Sequence, residues 1–313
     1  MMSEEFLWVE KYRPHSIDSM ILPSDTKEAL QKFVKEGNLP NFLFVGPPGV
    51  GKTTAARAML DELNSDYIII NGSLEGGIAT LRTDIHSFAS SRSLMGGRKY
   101  VILDEADYLT QHMQPALRSF MEEFSKNCGF ILTANYSNRI IPAVQSRLST
   151  VEFIIPEEEK NSICSMIMQQ CVHILNEEGI EIEDMKALAV LIKKYYPDIR
   201  KAINELQYYS SHGKIDNGIL SKLRDISLDR LAGFMREKNF TSVRQWVADS
   251  AQIDTAQFYR KFYDHMDDYI KHNDIPYLVV LVSKYGYQNV LAADKEINLA
   301  AFLTEVMANC EFK

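Results

Sequence analysis

The chain has 313 residues, 46% of them hydrophobic, and a formal net charge of -8. That length exceeds one ordinary core and suits two or three domains. The acidic balance argues against a surface coated with nonspecific nucleic-acid-binding charge, so any DNA contact has to be a focused track of a few Lys or Arg side chains. No apolar run reaches the ~18 residues of a membrane span, and the start "MMSEEFLWVEKYRP" is charged where a secretory signal is apolar. The expectation is a cytoplasmic protein that is not secreted. The 4 cysteines lack CxxC spacing, which points to neither a zinc knuckle nor a disulfide framework.

Taken in chain order, Ser24 to Glu36 reads as a helix closed by Gly37, and "NFLFV" as a buried strand. Thr53 to Leu63, Ile78 to Ser90 and Gln114 to Phe124 read as further helices. Between them "DYIII", "KYVILD" and "GFILTA" are short aliphatic runs bounded by turn or functional residues, as parallel strands are. Alternation of this kind predicts an open α/β sheet with helices on both faces. After "VEFIIP" the strand-like runs stop. Ile163, Met166, Ile167, Cys171 and Ile174, and later Leu299, Phe302, Leu303, Val306 and Cys310, recur at helical spacing and read as core. A second boundary is expected near "SSHGKIDNG", where glycines and polar residues cluster.

The chemistry sits on the strand ends. "GPPGVGKTT" comprises Gly46, Pro47, Pro48, Gly49, Val50, Gly51, Lys52, Thr53 and Thr54. It follows a predicted strand and opens a helix, the context a P-loop requires. Its glycines let backbone N–H groups turn inward around phosphates, Lys52 supplies a point charge, and Thr53 offers a hydroxyl to Mg²⁺. "VILDEAD" delivers Asp104 and Glu105 to the carboxyl end of a strand, where such sheets bind ligands. Asp104 suits Mg²⁺, mainly through its waters, and Glu105 suits a general base acting on water. "FILTAN" ends on Asn135, an amide able to hold a water or sense a γ-phosphate. Arg200, early in a helix in "PDIRKAINEL", is either a solvated helix-face residue or a phosphate contact.

With "VEKYRP", "GPPGVGKTT", "NGS", "LDEAD", "QPALRSFMEE", "TAN", "QSR" and "PDIRKAINEL" in this order, the chain resembles the AAA+ ATPases. Within them it resembles the sliding-clamp loader subunits, of the T4-type bacteriophage kind. The motifs run to about residue 206; beyond that the resemblance rests on length and helical character. It implies an α/β P-loop NTPase domain over 1–155, a helical lid over 156–228 and an all-α collar that oligomerises over 229–313. It implies an ATP hydrolase with ATP and Mg²⁺ as cofactors. Its implied partners are the sliding clamp, a small clamp-loader subunit, further copies of itself and primer-template DNA.

The resemblance also assigns residues. Val9, Glu10, Lys11, Tyr12 and Ile21 would line the adenine pocket. Asn71 would be a switch that restrains Glu105. Ile78, Arg82 and Arg118 would face DNA, and Leu94 and Met95 the clamp. "QSR" resembles a Ser-Arg-Cys motif with Leu148 in the cysteine position, which makes Arg147 an arginine finger for the neighbouring subunit's ATP. Two other readings stay open: another AAA+ DNA-remodelling motor, and a non-hydrolysing scaffold subunit.

Overall fold

A computed structural model describes residues 6–73, 78–93, 96–110, 112–210, 213–215, 228–249 and 255–313, without side-chain detail at 78–81, 229 and 257. It divides into two units, Met1–Leu223 and Arg224–Lys313.

The first unit is built on a five-stranded sheet of order β2-β3-β4-β1-β5, with β1 Phe42–Val45, β2 Tyr67–Asn71, β3 Lys99–Asp104, β4 Cys128–Ala134 and β5 Ser149–Glu152. Every pairing is parallel. The inner strands β1, β3 and β4 are largely buried on both faces because helices cover both, whereas the edge strands β2 and β5 are partly exposed. Phe42, Phe44, Ile102 and Ile131 pack on one side with Ala55, Met59 and Leu60 of helix α3, Lys52–Glu62. Leu43, Val101, Leu103, Phe130 and Leu132 pack on the other side with Leu117, Phe120 and Met121 of α5, Gln114–Glu123. Register brings the carboxyl ends level: Asn71 pairs with Asp104, and Val45 pairs with Ala134 and Glu152. Helices α1 Trp8–Lys11, α2 Ser24–Glu36, α4 Ile78–Ser90 and α6 Pro142–Gln145 complete this part.

Lys99 fixes the start of β3 to the end of α4. Its buried Nζ donates to Phe88 O at 2.7 Å, to Ser91 O at 3.0 Å and to Ser91 Oγ at 2.6 Å, beneath the Phe88 ring. The last carbonyls of a helix lack intrahelical partners, and a cation there satisfies them.

The helical part of this unit contains α7 Lys160–Glu177, α8 Met185–Tyr195 and α9 Ile199–Ser210. Ile163, Ile167, Cys171 and Ile174 form its core as their spacing predicts, and Trp8 is buried among them, with Val9, Tyr12 and Ile21 packed alongside. One expectation fails here. The region is not strand-free, because β6 Glu181–Ile182 pairs with β7 Lys214–Ile215. Strands this short carry no period for a sequence pattern to reveal.

In the second unit, helices Leu228–Arg236, Phe240–Asp249, Thr255–Asp264, Ile275–Leu291 and Lys295–Asn309 enclose one core. Phe302 is at its centre, with the rings of Phe258, Tyr259, Phe262 and Tyr285 around it. Leu299, Leu303, Val306 and Cys310 are buried in the same core, as expected. No helix among the described residues is long and apolar enough to cross a membrane.

Candidate nucleotide site

The loop from Gly46 to Gly51 joins β1 to α3 at the carboxyl edge of the sheet. Gly49 and Gly51 have φ of 76° and 96°, a left-handed backbone that favours glycine. Space demands glycine at 49 as well, since a Cβ there would lie 1.8 Å from Asp198 Oδ1. Asp198 is held in place because its Oδ1 accepts from Lys201 N at 2.8 Å, capping α9, and Ile199 N donates to Gly49 O at 3.2 Å. The P-loop and the start of α9 are thus locked together within one unit.

Lys52 opens α3 and is only 8% exposed. Its Nζ donates to Gly46 O at 2.7 Å, Pro47 O at 2.8 Å and Asn135 Oδ1 at 2.9 Å. Burial drags its pKa down to about 8, against the pull of the Asp104 and Asp107 carboxylates. A desolvated ammonium over a glycine loop is a site in want of an anion. Next to it, Thr53 Oγ1 and Thr133 Oγ1 each donate to Asp104 Oδ1 at 2.6 Å.

Glu105 follows with φ 55° and ψ 43°, left-handed for a residue with a Cβ. Such a backbone costs about 1–2 kcal/mol and is characteristic of functional positions. Its N–H donates to Thr133 Oγ1 at 3.0 Å. Glu105 lines a cleft of about 380 Å³ together with Lys52, Asp104, Asp107, Asn135 and Arg200. Asp107 was not singled out in the sequence. It is buried, its Oδ2 accepts from Asn135 N at 3.2 Å, and its Oδ1 has no hydrogen-bond partner among the described residues. A second carboxylate at i+3 from Asp104 was the available signal.

A neighbouring cleft of about 720 Å³ is lined by the expected Val9, Tyr12, Ile21, Gly49, Val50, Gly51 and Thr54, and also by Arg13, Met20, Gln170 and Ile203. Arg200 lines both clefts. Glu10 and Lys11 are not among the lining residues. Glu10 is taken by Arg13, whose Nε is 3.0 Å from its Oε2 and whose hydrogen bond holds the carboxyl below its ordinary pKa. Lys11 Nζ donates to Glu178 Oε1 at 2.7 Å, beside the Tyr12 hydroxyl at 2.8 Å. On a single helical turn the chain cannot aim consecutive side chains at one pocket.

The remaining expected residues lie outside both clefts. Asn71 Oδ1 accepts from Ser73 N at 2.8 Å and Ser73 Oγ at 2.7 Å, and is not bonded to Glu105. The next residue, Gly72, donates its N–H to Asp104 O at 2.7 Å. Arg82 is exposed on α4. Ile78 starts that helix, but its side chain lies outside the described residues, as do Leu94 and Met95 altogether. Arg118 is exposed on α5, with its Nε 3.5 Å from Glu122 Oε1. Arg147 follows α6 and is exposed. Its Nε donates to Glu122 Oε1 at 3.0 Å, its Nη2 bonds the same oxygen, and its Nη1 donates to Ala143 O at 2.6 Å and Ser146 Oγ at 3.2 Å. Leu148 packs against the core on the α5 side of the sheet, which accounts for an apolar residue in that position. Gln114, also unremarked in the sequence, is buried. Its amide donates to Leu109 O and Arg139 O and accepts from Ile141 N at 2.7 Å, joining α5 to the segments that follow β3 and β4.

Comparisons with known proteins agree with this geometry. Residues 42–156 match the model of the ATPase family associated with various cellular activities (AAA), and residues 158–221 match that of the sliding-clamp-loader large subunit, AAA+ ATPase lid domain. The sliding-clamp-loader large subunit of Enterobacteria phage T4 is 33% identical over 315 residues, covering 99% of this chain and 98% of that protein. The replication factor C small subunit of Thermofilum pendens is 34% identical over 329 residues, covering 97% of each. Among solved structures, the Thermotoga maritima RuvB Holliday junction branch migration motor aligns with a TM-score of 0.55 at 18% identity, over 77% of this chain and 86% of that one, a likeness of fold alone. The chain is therefore an AAA+ ATP hydrolase and belongs to the sliding-clamp-loader ATPase subunits.

Proposed function

We propose that this chain binds ATP to hold a sliding clamp open around primer-template DNA, and hydrolyses it to release the closed clamp. Its partners are the clamp, a small clamp-loader subunit and further copies of itself, working in the host cytoplasm. The observation that carries the reading is the division of the hydrolytic set. Lys52, Thr53, Asp104, Glu105 and Asn135 meet at one sheet edge, while Arg147 lines neither cleft of its own chain. An arginine that acts on ATP from such a position acts on a neighbour's. The working division is an ATPase domain over 1–155, a lid over 156–228 and a collar over 229–313.

The glycine loop and Lys52 bind the phosphates, with Arg200 reaching them from the lid. Glu105 takes the proton of the attacking water and Asn135 orients that water. Thr53 Oγ1 and Asp104 Oδ1, 2.6 Å apart in an all-oxygen setting, fit Mg²⁺. Bound there, the ion would neutralise charge on the phosphate oxygens. Arg82 and Arg118 contact the DNA backbone, with the start of α4 at Ile78 presenting backbone N–H groups to phosphate. Asn71 acts as the switch on Glu105, and Leu94 and Met95 contact the clamp. The test is ATPase activity with and without clamp, partner subunit and primed DNA. Activity that these together fail to stimulate would sink the clamp-loader reading.

A further inference from the structure

The larger cleft has apolar walls from Val9, Tyr12, Met20, Ile21 and Ile203, and several polar side chains reach it. Most of those are already satisfied. The Tyr12 hydroxyl donates to Glu178, Arg13 is shared between Glu10 and Thr54 Oγ1, and Ser19 Oγ donates to Ser16 O. Gln170 is different, because its amide has no hydrogen-bond partner among the described residues. An amide held against an apolar wall without a partner is unfavourable once water leaves, and it needs a ligand edge offering both a donor and an acceptor.

Where Gln170 stands along the cleft follows from α7. It lies three residues before His173, on the same helical stripe. The His173 ring meets the Tyr12 ring edge-on at 6.4 Å. Gln170 is therefore at the Tyr12 end, among the apolar walls, and away from the Lys52 and Thr53 end where phosphates belong.

A flat base fits those walls. A glutamine amide pairs with adenine through two bonds, accepting from the N6 amino group and donating to N7, whereas guanine offers two acceptors on that edge. We infer that Gln170 reads the amino edge of the base, selects adenine, and ties base occupancy to the lid helix that carries it. The inference rests on the ATP reading above.

Equilibrium binding by the full chain tests it with ATP, GTP, 2′-deoxyATP and purine riboside triphosphate, which lacks the N6 amino group. Wild type is expected to bind ATP about tenfold more tightly than purine riboside triphosphate. Gln170→Leu, of similar volume, is expected to lose about thirtyfold for ATP and only about threefold for the amino-free analogue, which keeps N7, so that the preference vanishes. An equal loss for both nucleotides would mean a packing role and overturn the inference. So would a wild-type chain indifferent to the amino group, a measurement that needs no variant. A loss confined to the comparison of ATP with 2′-deoxyATP would move the contact to the ribose and also overturn it. Failure of wild type to bind ATP at all would overturn the ATP reading itself, a result distinguishable from the others.

Discussion

Gly49→Ala tests whether the P-loop and the start of α9 work as one part. The new Cβ would sit 1.8 Å from Asp198 Oδ1 and 2.3 Å from its Cγ, on a backbone at φ 76°. Relief requires Asp198 to move, which uncaps α9 and breaks the bond from Ile199 N to Gly49 O. Left-handed alanine costs about 1–2 kcal/mol, a lost cap about 1 kcal/mol and a lost hydrogen bond about 1 kcal/mol. The sum, about 3–4 kcal/mol, is the cost of the ATP-binding arrangement once the start of α9 is forced off the loop and takes Arg200 with it. ATP affinity should therefore fall by ~10²-fold or more in a fluorescence titration. Asp198→Ala alone removes only the cap and should cost about fivefold. In the double variant the three Asp198 atoms nearest the new Cβ are gone, so the two losses should fall short of additive by about 1–2 kcal/mol. Strict additivity, or a Gly49→Ala loss below about threefold, would refute the linkage.

Further outcomes follow from other residues. Arg147→Ala should leave ATP binding nearly intact while removing ~10³ or more of hydrolysis in the assembly. Mixed assemblies with Lys52→Ala subunits should place the two defects on different chains, and full activity of an Arg147→Ala monomer would contradict this. Lys52 in the free chain titrates near 8 because it is desolvated. Bound phosphate favours the ammonium, so binding takes up a proton above pH 8. Affinity should be level below about pH 7.5 and then fall by up to about tenfold per pH unit toward 9.5. Lys52→Met should lack that slope, and a level wild-type profile would count against it. Lys99→Met strands the carbonyl of Ser91, while Phe88 O keeps Ser91 N and Oγ, and should lower stability by about 1–3 kcal/mol in urea unfolding. A loss under about 1 kcal/mol would mean that the stranded carbonyl finds another partner.

Four of the five strands were legible because they are short aliphatic runs that end on or beside a residue with chemistry, as "KYVILD" ends on Asp104, whereas β5, "STVE", carries no such run. The helices between them started and stopped within a residue of expectation, since caps and apolar period agree there. The site residues on strand ends were legible for the same reason. What escaped depends on contacts between distant segments. Nothing local to Gly49 announces Asp198, and nothing local to Gln170 announces a cleft shared with Tyr12. Asp107 and Gln114 are polar residues in apolar surroundings, whose meaning appears only when their partners do. The fold splits the block "VEKYRP", sending Val9 and Tyr12 to the cleft and Glu10 and Lys11 to ion pairs.

The left-handed backbone at Glu105 has a practical consequence for anyone redesigning this chain. Stability-guided substitution favours glycine or asparagine at a positive φ, and would flag Glu105, φ 55°, as a defect to be repaired. The repair would succeed by its own measure, giving a hardier protein with its proposed proton acceptor removed. Screens for thermal robustness alone would enrich such inert variants, so a selection for improved versions of this motor has to score turnover at every round.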